Sequence, residues 1–266
     1  MRITYGKLRV PLQRVIAQPS GRHDLLAGEV SVEVLGENFA AAYTEGDNSA
    51  VVATDTMKNF ILRESLACEG DTPEALAEHL ARAFLAAYPV MEAVRVGVRE
   101  RRFDRLSDKL FAGEPEGDHG VATIELHGDE VTERRSGRHG MWLLKVTGSS
   151  FTRFARDDYT TLPERIDRPL YIRMDADWRY DGTPPPSAEV RAELAATFDD
   201  FVSESIQHLV HEMGTRALAR WPQLTEIRFE AENHTRDPAG DAQDGARRLY
   251  TDPFPAQGLI TLTLQR

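Results

Sequence analysis

Four groups of residues have types and spacings that could do chemistry. His208, His211 and Glu212 stand in the run HLVHE. A helical zinc site of the hydrolase kind uses H-E-x-x-H, which stacks two imidazoles one turn apart with a glutamate on the same face. The order here is H-x-x-H-E, so these residues read as the polar flank of an amphipathic helix. Cys68 is the single cysteine. Its neighbours, SLACEGD, are acidic and disfavour the thiolate a nucleophile needs. A lone cysteine also excludes an intrachain disulfide and a cysteine metal cage. The third group is GDNSAVVATDTMKNF, residues 46–60. An apolar run enters Thr54, Asp55, Thr56, Lys58 and Asn59, and small polar groups at a strand end suit a site. They suit a capped turn at the start of a helix equally well. The fourth is FTRFARDDYTTLPERIDR, residues 151–168, an aromatic among arginines and aspartates. Residue types alone favour a salt-bridged surface loop there.

Other patterns carry less. GRHD, GDHG and SGRHG are glycine-containing turns. No G-x-G-x-x-G, no G-x-x-x-x-G-K-[ST] and no G-x-S-x-G occurs, so neither a nucleotide phosphate cradle nor a nucleophile elbow is supported. Arg134, Arg135 and Arg138 read as a solvated hairpin tip.

The elements that must position these residues can be traced along the chain. Alternation predicts a strand at the N-terminus, with Ile3, Tyr5 and Lys7 on one face, and another from Gly28, with Val30, Val32 and Val34 inward. SAVVAT after the GDN turn reads as a further strand. Thr72 and Pro73 open a helix carrying Leu76, Leu80, Phe84 and Tyr88, which Pro89 ends. Strands are expected around 93–103 and 119–131. The second half repeats this order. It has strands at 139–147 and 170–180 and a helix capped by Ser187. A second helix starts near Ser203, and strands at 223–233 and 258–264 close the chain. The predicted class is α+β, antiparallel sheets with helices on one face, in two domains, 1–134 and 135–266.

Composition narrows the function. The 266 residues hold 32 Lys plus Arg against 43 Asp plus Glu, a net charge of −11. That balance argues against a nucleic-acid surface and against a polybasic membrane patch. No apolar run approaches the ~18–20 residues of a membrane helix. MRITYGKLRV lacks the apolar stretch of a secretory signal, and TLTLQR carries no Ser-Lys-Leu address, so a cytoplasmic protein is expected.

The segments 46–60 and 151–168 also carry a resemblance. The first matches throughout the G-D-N-S-x-V-V-A-T-D-[ST]-x-K-N run of the urate oxidase (uricase) family, cofactor-free enzymes of the tunnelling fold (T-fold). YGK at 5–7 resembles the family's N-terminal Tyr-Gly-Lys. FTRFARDDYTTL is similar to its F-x-x-F-x-R-D-x-Y-T-T-L, with Asp167-Arg168 at the family's spacing. SESIQ (203–207), EAENHT (230–235) and GLITLTL (258–264) follow in the family's order.

The resemblance implies two tandem T-fold domains assembling into a β-barrel tunnel. It implies a homotetramer with active sites at subunit interfaces. The implied reaction oxidises urate with O2 to 5-hydroxyisourate and hydrogen peroxide, with no metal or organic cofactor. Lys7 and Thr54 would be the catalytic pair. Thr54 and Asp55 would also help hold urate, and Phe151 would stack on the purine plane. Arg168 and Gln207 would grip opposite edges, Ile206 would add backbone contact, and Asn233 would face dioxygen or water. The chemistry suits these types. Urate is a planar anion, and an arginine fork, an amide and a flat apolar wall complement it. A base must take a further proton before O2 reacts, and Lys7 with Thr54 would supply it. The family often has a His two residues after the Asn. Here that position is Thr235, and His234 stands one residue early, on the opposite strand face. That leaves Thr235 or a water to carry the proton. The alternatives are a T-fold enzyme acting on a pterin-like heterocycle and a non-catalytic purine-binding paralogue.

Overall fold

The computed structural model describes residues 3–113, 117–243, 245–252 and 255–266. The chain divides into two compact units, Met1–Gly137 and Arg138–Arg266.

The first unit opens with two long strands, β1 (Ile3–Ala17) and β2 (His23–Gly36). A single helical turn, α1 (Ala41–Thr44), follows, then helices α2 (Thr54–Ala67) and α3 (Pro73–Ala87). The remaining strands are β3 (Ala93–Glu100), the short pair β4 (Asp104–Arg105) and β5 (Phe111–Ala112), and β6 (His119–His127). β1, β2, β3 and β6 pair antiparallel in that order. β7 (Glu130–Lys145) contains the boundary between the units.

The alternation read from β2 holds. Val30, Val32 and Val34 are fully buried with Val94, Val96, Ile124 and Leu126. Against them pack Met57 and Ile61 of α2 and Leu76, Leu80 and Phe84 of α3. A one-residue slip would turn this whole set to solvent, so the register is fixed by burial. Thr72 caps α3 as expected, accepting from the Ala75 amide, with Pro73 at the first position. Such a cap contributes about 1 kcal/mol. At the other end of α2, the buried Arg14 guanidinium donates to the carbonyls of Ser65 and Cys68 at 3.0 and 2.7 Å. A cation on the last carbonyls of a helix satisfies groups that have no intrahelical donor.

The second unit holds β8 (Leu170–Tyr180), α4 (Ser187–Asp200), α5 (Ile206–Arg220), β9 (Leu224–Asn233), the short pair β10 (Pro238–Asp241) and β11 (Arg248–Tyr250), and β12 (Gly258–Gln265). β9 pairs antiparallel with β8 on one side and β12 on the other. Its core sets Ile172, Met174, Ala176 and Trp178 against Val190 and Leu194 of α4 and Leu209, Val210 and Met213 of α5. Gly214 lets α5 approach β12, because a Cβ there would meet the Leu264 side chain.

Four expectations are corrected. SAVVAT is not a strand. Val51 to Ala53 pair with no strand among the described residues, and the chain turns at Thr54 into α2. Ser187 does not cap α4; Pro186 holds the N-cap position without a side-chain bond. Ser205, not Ser203, caps α5 by accepting from the His208 amide at 3.0 Å. Arg134, Arg135 and Arg138 lie within β7 rather than at a hairpin tip, and Arg138 is buried.

The close approach of β1 to β2 makes a prediction. A Cβ on Gly6 would drive into the Val32 carbonyl oxygen. Gly6→Ala should therefore cost about 1–3 kcal/mol, as overpacking does, read as a lower denaturation midpoint. An unchanged midpoint would contradict the tight pairing at Gly6.

Candidate active site

The predicted site residues fall into two groups, one in each unit. In the first unit, the pairing of β1 with β2 shifts register between Lys7 and Val10. Arg9 sits there at φ 54° and donates its backbone N–H to Ser31 Oγ at 3.0 Å. A bulge of this kind bends a strand and re-aims the side chains beside it, and Lys7 is the residue that precedes it. Tyr5, two residues before, accepts a hydrogen bond from the Val52 amide at 2.9 Å and packs edge-on against Phe39. Burial of the ring holds the Tyr5 hydroxyl above its ordinary pKa. That bond ties β1 to the extended segment that delivers Thr54 to the start of α2. Thr54, Asp55 and Thr56 form an exposed first turn. The N-cap is Ala53 and makes no side-chain bond, so the capped-turn alternative for this cluster does not hold. Backbone N–H groups at an uncapped N-terminus are open to a ligand, and the helix dipole favours an anion there. Asp55 bonds Lys58 and Asn59, and Lys58 above all holds its carboxyl low, with a smaller contribution from Lys7.

In the second unit, Phe151, Arg168, Ile206, Gln207 and Asn233 line one cavity of about 440 Å³. That size lies within the range of about 300–1,000 Å³ usual for small-molecule sites. Three chain segments are laced together to form it. Ser150 N–H donates to the Ser203 carbonyl and Arg168 N–H to the Ser149 carbonyl, both at 2.8 Å. Phe151 and Arg165 exchange backbone bonds at 2.8 and 2.9 Å. The buried hydroxyls of Ser149 and Ser203 meet at 3.1 Å. This seam fixes the loop 151–168 to the start of α5, whose first two residues are Ile206 and Gln207. Asp167 anchors the loop's end. Burial alone would raise its pKa, but the Gly148 amide, the Thr147 hydroxyl and Arg248 hold it below the ordinary value.

Arg168 is the dominant charge. It is 8% exposed, with its guanidinium carbon 5.5 Å from the centre of the Phe151 ring. Burial, and then Arg165, lower its pKa. Its Nε is buried without a hydrogen-bond partner among the described residues. An unsatisfied buried donor of this kind is costly unless a ligand accepts from it. The middle of the same loop behaves as the surface segment its composition suggested: Arg153 pairs with Glu204, and Asp157 with Thr160 closes a turn.

A sequence model of the uricase family matches residues 3–127 and 134–243. The chain belongs to the uricase family. A uricase of Haloferax volcanii is 38% identical, covering 99% of this chain and 98% of its own length. A uricase of Arthrobacter globiformis is 32% identical over 98% of this chain and 88% of its own. Among solved structures, the urate oxidase of Bacillus sp. TB-90 matches with a TM-score of 0.92 at 31% identity, covering 99% of this chain and 100% of that one. A uricase from Bacillus fastidious gives 0.91 at 33%, covering 99% and 93%. The fold is the T-fold of these uricases, antiparallel sheets with helices on one face.

The family motifs thus occupy both groups, and the structure adds residues that sequence reasoning missed. Leu162, Asp237, Ala256, Leu259 and Ile260 also line the cavity. Leu162 and the β12 residues lay inside flagged segments, but only register reveals which of them face inward. Thr235 lines the cavity, whereas His234 does not; its ring packs on Trp142 and bonds Glu232 at 3.1 Å. His234, just past the end of β9, therefore points away from the cavity that Asn233 and Thr235 line. His208 and His211 are exposed on α5, and no cluster of three metal-ligating side chains occurs among the described residues.

The anchoring of Asp167 is open to a pH test. Its folded pKa lies below the ordinary 3.8, so its contribution to stability is present above that pH and fades as pH falls through the folded value. Asp167→Asn should lower the melting temperature at pH 7, and the gap should close in acid. A gap independent of pH would contradict a carboxylate anchor.

Proposed function

We infer that the protein is a urate oxidase, converting urate, O2 and water to 5-hydroxyisourate and hydrogen peroxide without a metal or organic cofactor. The observation that carries this is the Arg168 guanidinium, buried with a partnerless Nε over the Phe151 ring in a cavity that also presents Gln207 and Asn233. A planar anionic purine satisfies that cavity. Its carbonyl and deprotonated nitrogen accept from the guanidinium edge. The Gln207 amide both donates to and accepts from an amide-like edge. Phe151 covers the ring face, Ile206 adds backbone contact at the start of α5, and Asn233 faces the oxygen side. The chain's overall acidity is overcome locally, because the site's own buried charge is positive.

Lys7 and Thr54 complete the reaction as the catalytic pair, with Asp55 holding urate through its backbone. Urate loses a proton to this pair, and the electron-rich ring then gives two electrons to O2. Water adds to the oxidised ring, and the reduced oxygen leaves as hydrogen peroxide. These groups stand in a different unit from the Arg168 cavity. We place the working site at a subunit interface of a homotetramer whose sheets close into a tunnel. In support, large apolar side chains on the 151–168 loop and on β12 are uncovered: Tyr159 is 91% exposed, Ile166 87% and Leu259 66%. Patches of this kind mark surfaces that bind partners. Among the described residues, no helix is long and apolar enough to cross a membrane. We place the protein in the cytoplasm.

The test is to mix metal-stripped protein with urate in air and follow urate absorbance and peroxide together. Both signals are expected. Lys7→Met should abolish both while retaining urate binding, and Arg168→Ala should weaken binding by more than about tenfold, the loss of a charged bidentate contact. Turnover of a pterin but not urate would overturn the assignment in favour of another T-fold enzyme, and tight urate binding without oxygen uptake would favour a binding paralogue.

A further inference from the structure

Arg168, Thr235 and Asn233 form a directional chain of hydrogen bonds along the cavity wall. Arg168 Nη1 donates to Thr235 Oγ1 at 3.3 Å, and Thr235 Oγ1 donates to Asn233 Oδ1 at 2.6 Å. The direction is set by proton count. A guanidinium only donates, and a hydroxyl has one proton to give. With Arg168 donating to it, the Thr235 hydroxyl gives that proton to Asn233, its one acceptor among the described residues. The Asn233 amide is thereby oriented, with its oxygen toward Thr235 and its NH2 group left to serve the cavity. A flipped amide would set NH2 against the hydroxyl and leave the hydroxyl proton without an acceptor.

The contact is equally selective on Arg168. Nη1 lies outside the Nε–Nη2 edge, one of the two edges that can grip a planar acceptor with two parallel bonds. Thr235 occupies the nitrogen that this grip does not use, and Nε stays unspent.

We propose that Thr235 is a positioning residue, whose hydroxyl holds Arg168 edge-on to the substrate and fixes Asn233 as a hydrogen-bond donor toward the reacting oxygen. The proposal rests on the urate oxidase assignment. As O2 accepts two electrons it gains negative charge. A preoriented amide N–H stabilises that charge, whereas an amide oxygen in the same place would oppose it. The single proton of Thr235 is committed to Asn233, so Thr235 acts by holding its neighbours rather than by carrying the substrate's proton.

Thr235→Val keeps the side-chain shape and removes the hydroxyl; Thr235→Ser keeps the hydroxyl. Urate binding is measured under nitrogen, and oxygen uptake is measured in air across pH. Thr235→Val should raise the Kd for urate about tenfold and lower kcat by about tenfold or more, on the scale of a lost bond to a charged group. The shape of its pH profile should not move, and Thr235→Ser should recover most of both losses. Kd and kcat within about twofold of the parent for Thr235→Val would overturn the proposal. So would a serine variant as impaired as the valine, or a shifted pH profile, which would make Thr235 a proton carrier. A parent protein that consumes no oxygen with urate would instead sink the functional assignment, and this inference with it.

Discussion

Arg168 is buried with no ion-pair partner among the described residues, and the loop that carries it is laced to the start of α5. Burying an uncompensated charge costs several kcal/mol, and the chain accepts that at Arg168. Its backbone is tied to Ser149, its ring-facing side lies over Phe151, and Nη1 is held by Thr235. The Ser149–Ser203 seam then binds this assembly to the start of α5, which supplies Ile206 and Gln207. A protein would gain stability by placing an aspartate beside such a group. Left unpaired, its charge is available to an anionic ligand, as the proposed function requires.

The first unit is constrained differently, by the close pairing of its first two strands. β1 runs against β2 so closely at Gly6 that no side chain fits, and then bulges immediately after Lys7. Tyr5 reaches from the same strand to the amide of Val52 and so fixes where α2 begins. In the YGK motif, Tyr5 is thus a tether, Gly6 a close approach, and Lys7 the last residue before the bulge. The rest of the unit, a valine-lined sheet under α2 and α3, keeps that geometry rigid.

Much of this was legible in the sequence for local reasons. Thr72-Pro73 followed by apolar residues every fourth position leaves little but a helix, and the alternation through Val30, Val32 and Val34 leaves little but a strand. The motif runs suggested candidate site residues by resemblance, and five of them, Phe151, Arg168, Ile206, Gln207 and Asn233, line one cavity. What was not legible depended on long-range partners. VVAT has the composition of a strand but pairs with none among the described residues; the amide of its buried Val52 is satisfied by a tyrosine 47 positions away. Ser187 and Ser203 had the right type for caps, yet Ser203 is used instead in the buried seam with Ser149. Arg134, Arg135 and Arg138 look solvated by composition and are drawn into β7 by the sheet. The wall residues of the cavity belong to segments far apart in sequence, so only their register on β12 and β9 shows which ones face inward.

In the proposed assembly, the catalytic pair and the substrate grip belong to different subunits. The most direct measurement is complementation between two inactive variants. Lys7→Met and Arg168→Ala proteins, unfolded together and refolded as a mixture, should regain urate-dependent oxygen uptake, because some interfaces would then join an intact Lys7 to an intact Arg168. Either variant refolded alone should remain inactive. A mixture as inactive as its components would contradict a site shared between subunits and would place both groups in one chain's own site.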